Sequence, residues 1–591
     1  MDRTVPLALR RAGLIPLLLL CVACPPGDTA DSVVEDSGVE GHSGESSRPD
    51  SGDSGDSGDS GDSGDSAEDS AETGPVDSDT GICEERLWYR DGDGDGWGDE
   101  HHSASACSVP SGFVETPGDC DDGDDGVFPG AFDWRDGVDG DCDGLVDIIT
   151  LDRADARLLG ELDGDQVGVS VAFVGDIDGD GWQDVAAGGH AWPSGDEQGA
   201  AYLVSGPVSG VLDLSLATAR IAGLGVGDRA GHPVAGAGDV NGDGFDDLLV
   251  AASEDTSMAA GSGAAFLLLG PISGAVSVGD GVYAWLGEDP GDHAAAGLAG
   301  GTDLTGDGLL DVVIGAFDHG SSAGAVYLVS PATIGVSSLG DAPVILVGEA
   351  PGDGAGREAA PVGDTNGDGL EDLLVGARGN DSAAPDAGAA YLFLGPVLAS
   401  GDLGLADGVL LGQAGGDQAG YSVAPAGDVD GDGHADLVLG APYSDVLSRD
   451  GGAAYLVLGS VAGPSSALAD AAARIEGDRP GALLGYDVHG VGDFDGDGLA
   501  DLAVAAPLSD LGASGAGTVH LLLGGLAGSV CACDADALLV GASTDAHAGS
   551  ALDGGRDLNA DGLDDLIVGI PGAQGGGITP GGAALVLGQP R

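Results

Sequence analysis

From residue 151 to the C-terminus, short apolar runs alternate with clusters of Gly and Asp, and no stretch sustains the 3.6-residue period of an amphipathic helix. Residues 409–458 show one full cycle. Val409-Leu410-Leu411, Tyr421-Ser422-Val423-Ala424, Leu437-Val438-Leu439 and Ala454-Tyr455-Leu456-Val457-Leu458 read as four strands, and Gly or Asp punctuates every gap between them. The cycle recurs. A motif Asp-x-[Asp/Asn/Thr]-x-Asp-Gly-x-x-Asp starts at Asp176, Asp239, Asp303, Asp364, Asp428, Asp493 and Asp557, at successive steps of 63, 64, 61, 64, 65 and 64 residues. A fixed period of this length marks a repeat architecture.

Four-stranded sheets repeated radially form a β-propeller, whose strand edges are short and protected. The expected fold is therefore all-β, a seven-bladed β-propeller over residues 151–591. A linear solenoid is the alternative, and the phase of the repeats favours the ring. Arg157-Leu158-Leu159-Gly160 matches Arg220-Ile221-Ala222-Gly223 and Arg474-Ile475-Glu476-Gly477, the strand that precedes each loop pair. The propeller segment thus begins with a lone outer strand and ends, at Ala583-Ala584-Leu585-Val586-Leu587, lacking one. A ring closed by N- and C-terminal strands completes that last blade, whereas a solenoid needs capping ends.

Each motif sets carboxylates at alternate positions around a turn that Gly permits, so that their oxygens converge on one hard cation such as Ca²⁺. Positions 1, 3, 5 and 9, with the position-7 carbonyl, are the expected ligands. They are Asp176, Asp178, Asp180 and Asp184; Asp239, Asn241, Asp243 and Asp247; Asp303, Thr305, Asp307 and Asp311; and Asp364, Asn366, Asp368 and Asp372. The last three sets are Asp428, Asp430, Asp432 and Asp436; Asp493, Asp495, Asp497 and Asp501; and Asp557, Asn559, Asp561 and Asp565. An apolar run follows each ninth position and no Glu stands at position 12, so these are strand-loop-strand sites and not EF-hands. Asn241, Asn366, Asn559 and Thr305 each remove a carboxylate, and Ala560 replaces the fourth-position Gly. Graded affinities follow, weakest in the third repeat; the alternative at neutralised sites is closure by hydrogen bonds without metal.

The chain ahead of the repeats divides into three. Residues 1–23 carry Arg3, Arg10 and Arg11, then a short apolar run from Ala12 to Leu20, too short for a membrane span, and read as an export signal. Ala23-Cys24 resembles the lipobox of bacterial lipoproteins, which implies lipidation of Cys24; Cys21 stands where that pattern has Leu. Ordinary signal cleavage is the alternative. Pro25 after the Cys, by the same resemblance, favours the outer membrane. Residues 25–82 are Gly, Ser, Asp and Glu with 17 acids and a single base, Arg48, and have no apolar period from which to build a core. They read as an extended acidic spacer, longer than the roughly 40 Å of a flexible coil of that length.

Residues 83–148 form a separate cysteine-bearing module. Cys83, Cys107, Cys120 and Cys142 suggest disulfides in an exported chain, with 83–107 and 120–142 the preferred of three connectivities. Asp91, Asp93, Asp95 and Asp99, and again Asp139, Asp141, Asp143 and Asp147, repeat the alternating-carboxylate pattern and are two further candidate Ca²⁺ loops, for up to about nine in all. The string from Trp88 to Asp99, with Asp119-Cys120-Asp121-Asp122 and Asp136 to Gly144, resembles the MopE-type metal-binding motif of bacterial surface proteins, except that Arg135 stands where that family has Cys. His101-His102 offers copper as a second metal; the plainer reading is a solvated pair.

Composition narrows the chemistry. All 18 basic residues are Arg, so a Walker A loop, a Schiff-base Lys and a Ser-x-x-Lys acyl-transfer site are excluded. The formal charge of -82 repels phosphate backbones and makes nucleic acid an unsuitable partner. Of the 100 acids, 32 stand at the ligand positions above, so loop chemistry accounts for much of the charge and salt adaptation for part of the rest. Gly320-Ser321-Ser322-Ala323-Gly324 satisfies Gly-x-Ser-x-Gly but lies between strands and reads as a turn. Cys531-x-Cys533 reads as a local disulfide.

The loops followed by Gly440-Ala441-Pro442, Ala505-Ala506-Pro507 and Gly569-Ile570-Pro571 resemble FG-GAP repeats, as in integrin α-subunit propellers. The family's Phe-Gly appears only as Val167-Gly168, Ala230-Gly231, Ala419-Gly420 or Leu484-Gly485. This resemblance implies Ca²⁺ loops on one face and partner contacts on the opposite face. The expected function is a non-catalytic Ca²⁺-dependent surface interaction or adhesion module, monomeric, tethered to the membrane only through its lipid, with a surface protein or glycan as partner. A Ca²⁺-buffering or structural envelope protein is the alternative. A polysaccharide lyase, a class in which such propellers also occur, would need a non-repeated cluster of Arg, Lys, Tyr or His, and none is visible along the sequence.

Overall fold

The computed structural model describes residues 85–591 apart from 125, 130, 135–137, 143–147, 194–195, 332–333 and 460–465. The signal, Cys24, the acidic spacer, Cys83, Asp143 and Asp147 lie outside the described residues. Everything described belongs to the unit Thr73–Arg591. No described helix is long and apolar enough to cross a membrane.

Strands Arg86–Arg90, Gly98–Ala106, Phe113–Val114 and Pro117–Asp119 form one small sheet. Seven five-stranded sheets follow. In the first, Val167–Gly175, Asp184–Gly189, Ala200–Val204 and Ala219–Ala222 pair antiparallel in succession, and Gly274–Ser277 pairs parallel to the last of them. The expectation of four strands per sheet is corrected here. The fifth strand is lent by the next repeat, which then turns through the 3₁₀ segment Val278–Asp280 into its own fourth strand, Tyr283–Leu286. These fifth strands are short and exposed, as in Gly210–Asp213 and Gly274–Ser277, and so carry no periodic apolar signal; short edges also discourage pairing with other chains.

The second and third strands are buried along their whole length, as in Asp247–Ala252 and Ala264–Leu268, because neighbouring sheets cover both faces. Each core cluster therefore joins two sheets. One packs Ala186 and Leu203 of the first sheet against Val250 and Phe266 of the second. Another packs Val185 and Tyr202 of the first against Ile567 and Leu585 of the last. That contact makes the arrangement a ring, a β-propeller, and excludes a linear solenoid. The N-terminal strand Ala156–Leu159 pairs antiparallel with Gly582–Val586, and Ile149–Thr150 supplies the fifth strand of the preceding sheet.

Small residues set the spacing between sheets. A Cβ on Gly188 would lie 1.7 Å from the carbonyl oxygen of Gly231, and Gly231 itself has φ +88° with the Ala200 carbonyl 2.4 Å from its own would-be Cβ. Backbones approach this closely only without side chains. Small residues beside Gly thus replace the bulky aromatic of the FG-GAP pattern, and the chain has 114 Gly against 9 Phe.

Candidate metal centres

Every Asp motif joins an inner strand to the second strand of its sheet, so the seven loops lie at the same end of their sheets. Two regular roles appear. Position 1 closes the turn: Asp176 accepts the N–H groups of Gly179, Asp180 and Gly181 at 2.7, 3.0 and 2.9 Å, and Asp239 those of Gly242, Asp243 and Gly244 at 2.7, 3.0 and 2.8 Å. Asp364 accepts four such bonds, from Asn366, Gly367, Asp368 and Gly369, which hold its carboxyl below the usual range against the upward push of burial. Asp303, Asp428, Asp493 and Asp557 each accept the N–H of position 6.

Position 9 anchors the loop to the sheet. Asp184 is fully buried and accepts the N–H of Ile177 at 3.0 Å and that of Gly206, beyond the third strand, at 2.9 Å. Asp247, Asp372, Asp436, Asp501 and Asp565 repeat this with Gly270, Gly395, Gly459, Gly524 and Gly588. Burial pushes Asp184, Asp247 and Asp565 up to about 6 and Asp501 to about 7; Asp311 and Asp436 are raised for the same reason. Nearby loop carboxylates add to the rise at Asp184 and Asp247. A divalent cation would supply countercharge to such a cluster.

Positions 1, 3 and 9 converge. The carboxylates of Asp176, Asp178 and Asp184 offer oxygens within 4.8 Å of one another, as do those of Asp428, Asp430 and Asp436. Position 5 accepts the position-7 N–H, for instance Asp180 from Trp182, Asp307 from Leu309, Asp368 from Leu370, Asp432 from His434 and Asp497 from Leu499. Asp495 accepts the Asp497 N–H at 3.0 Å. Neutralised loops differ in kind: the amide of Asn241 donates to Asp243 at 3.0 Å and that of Asn559 to Asp561 at 2.8 Å, which satisfies a position-5 oxygen internally. In the third loop Asp311 accepts from Thr305 at 2.8 Å, where the other loops use position 2.

In the small sheet Asp91, Asp93 and Asp95 converge within 4.8 Å. One oxygen each of Asp93, Asp95 and Asp119 is buried without a hydrogen-bond partner, and burial with mutual repulsion raises Asp95 and Asp119. Orphaned carboxylate oxygens crowded together are a donor set that fits a hard cation. Asp99 is turned elsewhere: it accepts from His101 and contacts His102, which holds it down to about 2. Its strand neighbour Asp119, outside the alternating pattern, stands by the cluster instead. A second group joins Asp139 and Asp141 to the buried Asp133, which burial pushes up to about 6. Cys120 and Cys142 are bonded, as are Cys531 and Cys533, and Cys107 is also in a disulfide.

The ring encloses a cavity of 1180 Å³ lined by the inner strands. At the end opposite the Asp loops the fold gathers a non-repeated group that the linear sequence did not show. His293 meets Glu254 and Asp318, Arg229 pairs with Glu197 and Glu254, and Arg357, Arg378, Tyr421, Tyr443 and Tyr486 cluster beside them. Burial pushes the Tyr421 hydroxyl up to about 12, so it stays protonated near neutral pH.

The FG-GAP repeat profile matches residues 234–268, 355–393, 419–457 and 485–522. Each match spans an Asp loop with the strands on both sides of it. The chain is similar to Integrin alpha-PS5 of Drosophila melanogaster, 35% identical over 149 residues, covering 24% of this chain and 14% of that protein. It is similar to Integrin alpha-IIb of Homo sapiens, 35% identical over 161 residues, with coverage of 24% and 14%. Phosphatidylinositol-glycan-specific phospholipase D of Rattus norvegicus is 34% identical over 175 residues, 29% of this chain and 20% of that protein. The chain thus spans 14 to 20% of the length of these relatives.

Proposed function

We propose that the chain is an exported, lipid-anchored surface protein whose seven-bladed propeller, held by Ca²⁺ at its Asp loops, acts as an interaction or adhesion module without catalytic activity. The convergence of hard oxygen donors in loops repeated around one end of the ring carries this reading, supported by orphaned carboxylate oxygens at Asp93, Asp95 and Asp119. The similarity to integrin α chains supports the interaction role, although folds do not fix functions. Ca²⁺ would be held by positions 1, 3, 5 and 9 and would supply countercharge; the chain's own backbone N–H groups preform each loop.

The test is capture from cell-surface extract on the immobilised full chain with Ca²⁺ or with chelator. Partners retained reproducibly with Ca²⁺ and released by chelator are expected. Their absence, with the loops shown to be filled, would leave the buffering role in place of adhesion.

A further inference from the structure

Arginine is scarce here, with 18 bases against 100 acids, so a guanidinium without a carboxylate partner is an unexpected arrangement. Two occur side by side. The guanidinium carbons of Arg357 and Arg378 lie 4.5 and 5.3 Å from the centroid of the same Tyr421 ring, and Arg378 also lies 5.7 Å from Phe317. Neither forms an ion pair among the described residues, and Nε of Arg357 is buried without an acceptor. Burial, with the adjacent charge of Arg357, pushes Arg378 below its ordinary value. Like charges brought together on one ring repel, and the attraction of each to the ring face is weak.

Carboxylates lining the same cavity are engaged elsewhere. Glu254 lies 3.5 Å from Arg229 and 3.6 Å from His293. Asp553 lies 3.3 Å from His489 and accepts the Phe173 N–H at 2.7 Å. Asp487 accepts the Ser422 hydroxyl at 3.0 Å and the N–H groups of Val488 and Leu552 at 2.9 and 2.8 Å. Glu358, next in sequence to Arg357, is pushed by burial up to about 8, against the pull of the Arg357 charge, and makes no ion pair with it at contact distance. Both guanidiniums therefore lack a carboxylate at ion-pair distance among the described residues; Glu358 and Asp487 favour the charge of Arg357, and Asp318 that of Arg378, only from farther off.

Arg357 stands near the start of the inner strand Ala355–Pro361 and Arg378 just after Leu373–Ala377, whereas the Asp364 loop joins the other ends of these two strands. The pair is thus remote from the cation loops. It adjoins a cavity large enough for a small molecule, with Phe317 and Tyr486 on its wall. Guanidinium groups match planar carboxylates through paired N–H donors, and aromatic rings suit the carbon skeleton such a group carries.

We propose that this mouth of the cavity binds the carboxylate of a small acidic ligand, a uronic acid or a simple organic acid, through Arg357 and Arg378. The site goes beyond the Ca²⁺-dependent interaction role and needs no cation in the Asp loops. The test is calorimetric titration of the full chain with digalacturonate, with its neutral counterpart galactobiose, and with succinate. At least one acid binds with Kd of about 1 mM or tighter, and galactobiose binds at least about tenfold more weakly. Digalacturonate tighter than succinate assigns a uronic acid; the reverse assigns a simple acid. Arg378→Gln, at a turn, weakens the acid about tenfold at an unchanged melting temperature. Binding of galactobiose as tight as that of the tighter acid, or no binding of either acid at about 10 mM, overturns the proposal without recourse to any variant. Unchanged acid binding by folded Arg378→Gln overturns it too.

Discussion

Replacing Leu158 by Ala tests the closure of the ring. Leu158 is fully buried in the N-terminal strand, opposite Ala583 on one side and Leu212 on the other. It belongs to the cluster that joins the first sheet to the last. Losing a buried Leu side chain costs about 2–5 kcal/mol, the larger values arising where the surroundings collapse least. Strands flank this site on both sides, so the upper half of that range is expected. Arg157, next in the strand and on its other face, donates to the Asp152 carbonyl at 3.2 Å, and Arg157→Gln should cost no more than about 0.5 kcal/mol. Urea unfolding at fixed Ca²⁺, followed by circular dichroism, compares the two. With a slope of about 3 kcal/mol/M, a loss of about 4 kcal/mol moves the Leu158→Ala midpoint down by about 1.3 M, and a closed ring should shift as one transition. An unshifted midpoint, or equal shifts for both variants, would refute the closure argument.

Three further outcomes are expected. Without cation, the raised carboxyls of Asp184, Asp247, Asp565 and Asp501 mean that the folded chain holds more protons than the unfolded one between about pH 4 and 7. Their contribution is fully present below about pH 4 and is lost as pH rises through their folded values, by up to about 1.4 kcal/mol per pH unit per group. Melting temperatures of stripped protein should fall across that window, and Ca²⁺ should oppose the fall; a rise would contradict the sign. Thr305→Asp restores the missing carboxylate of the third loop and should raise bound Ca²⁺ per chain at limiting concentration, read by equilibrium dialysis. Gly231→Ala places a side chain where φ is +88° and a carbonyl is already in the way, and should cost about 2 kcal/mol or more in the same urea assay.

How far the sequence carries these conclusions depends on whether each feature is periodic. The strand after each loop was legible because two covering sheets demand an unbroken apolar run, as in Leu437-Val438-Leu439. Closure was legible because Arg157-Leu158-Leu159-Gly160 repeats the outer-strand pattern out of turn. Fifth strands such as Gly401–Asp402 and Ser466–Ala467 were not, since two residues have no period. Asp119 and Asp133 were missed because they reach their clusters from outside the alternating motif. Arg357 and Tyr421 are separated by a whole repeat, and only the ring brings them together.

The central claim is that the Asp loops are cation sites, and the most direct measurement is the melting temperature of the full chain with Ca²⁺ and with chelator, alongside the number of ions bound. Ligands of the native state stabilise it by mass action, about 2.7 kcal/mol per site at a hundredfold excess over Kd. The account predicts a large Ca²⁺-dependent rise with several ions bound per chain. No shift and no bound Ca²⁺ would contradict it and leave the loops as turns closed by their own backbone hydrogen bonds.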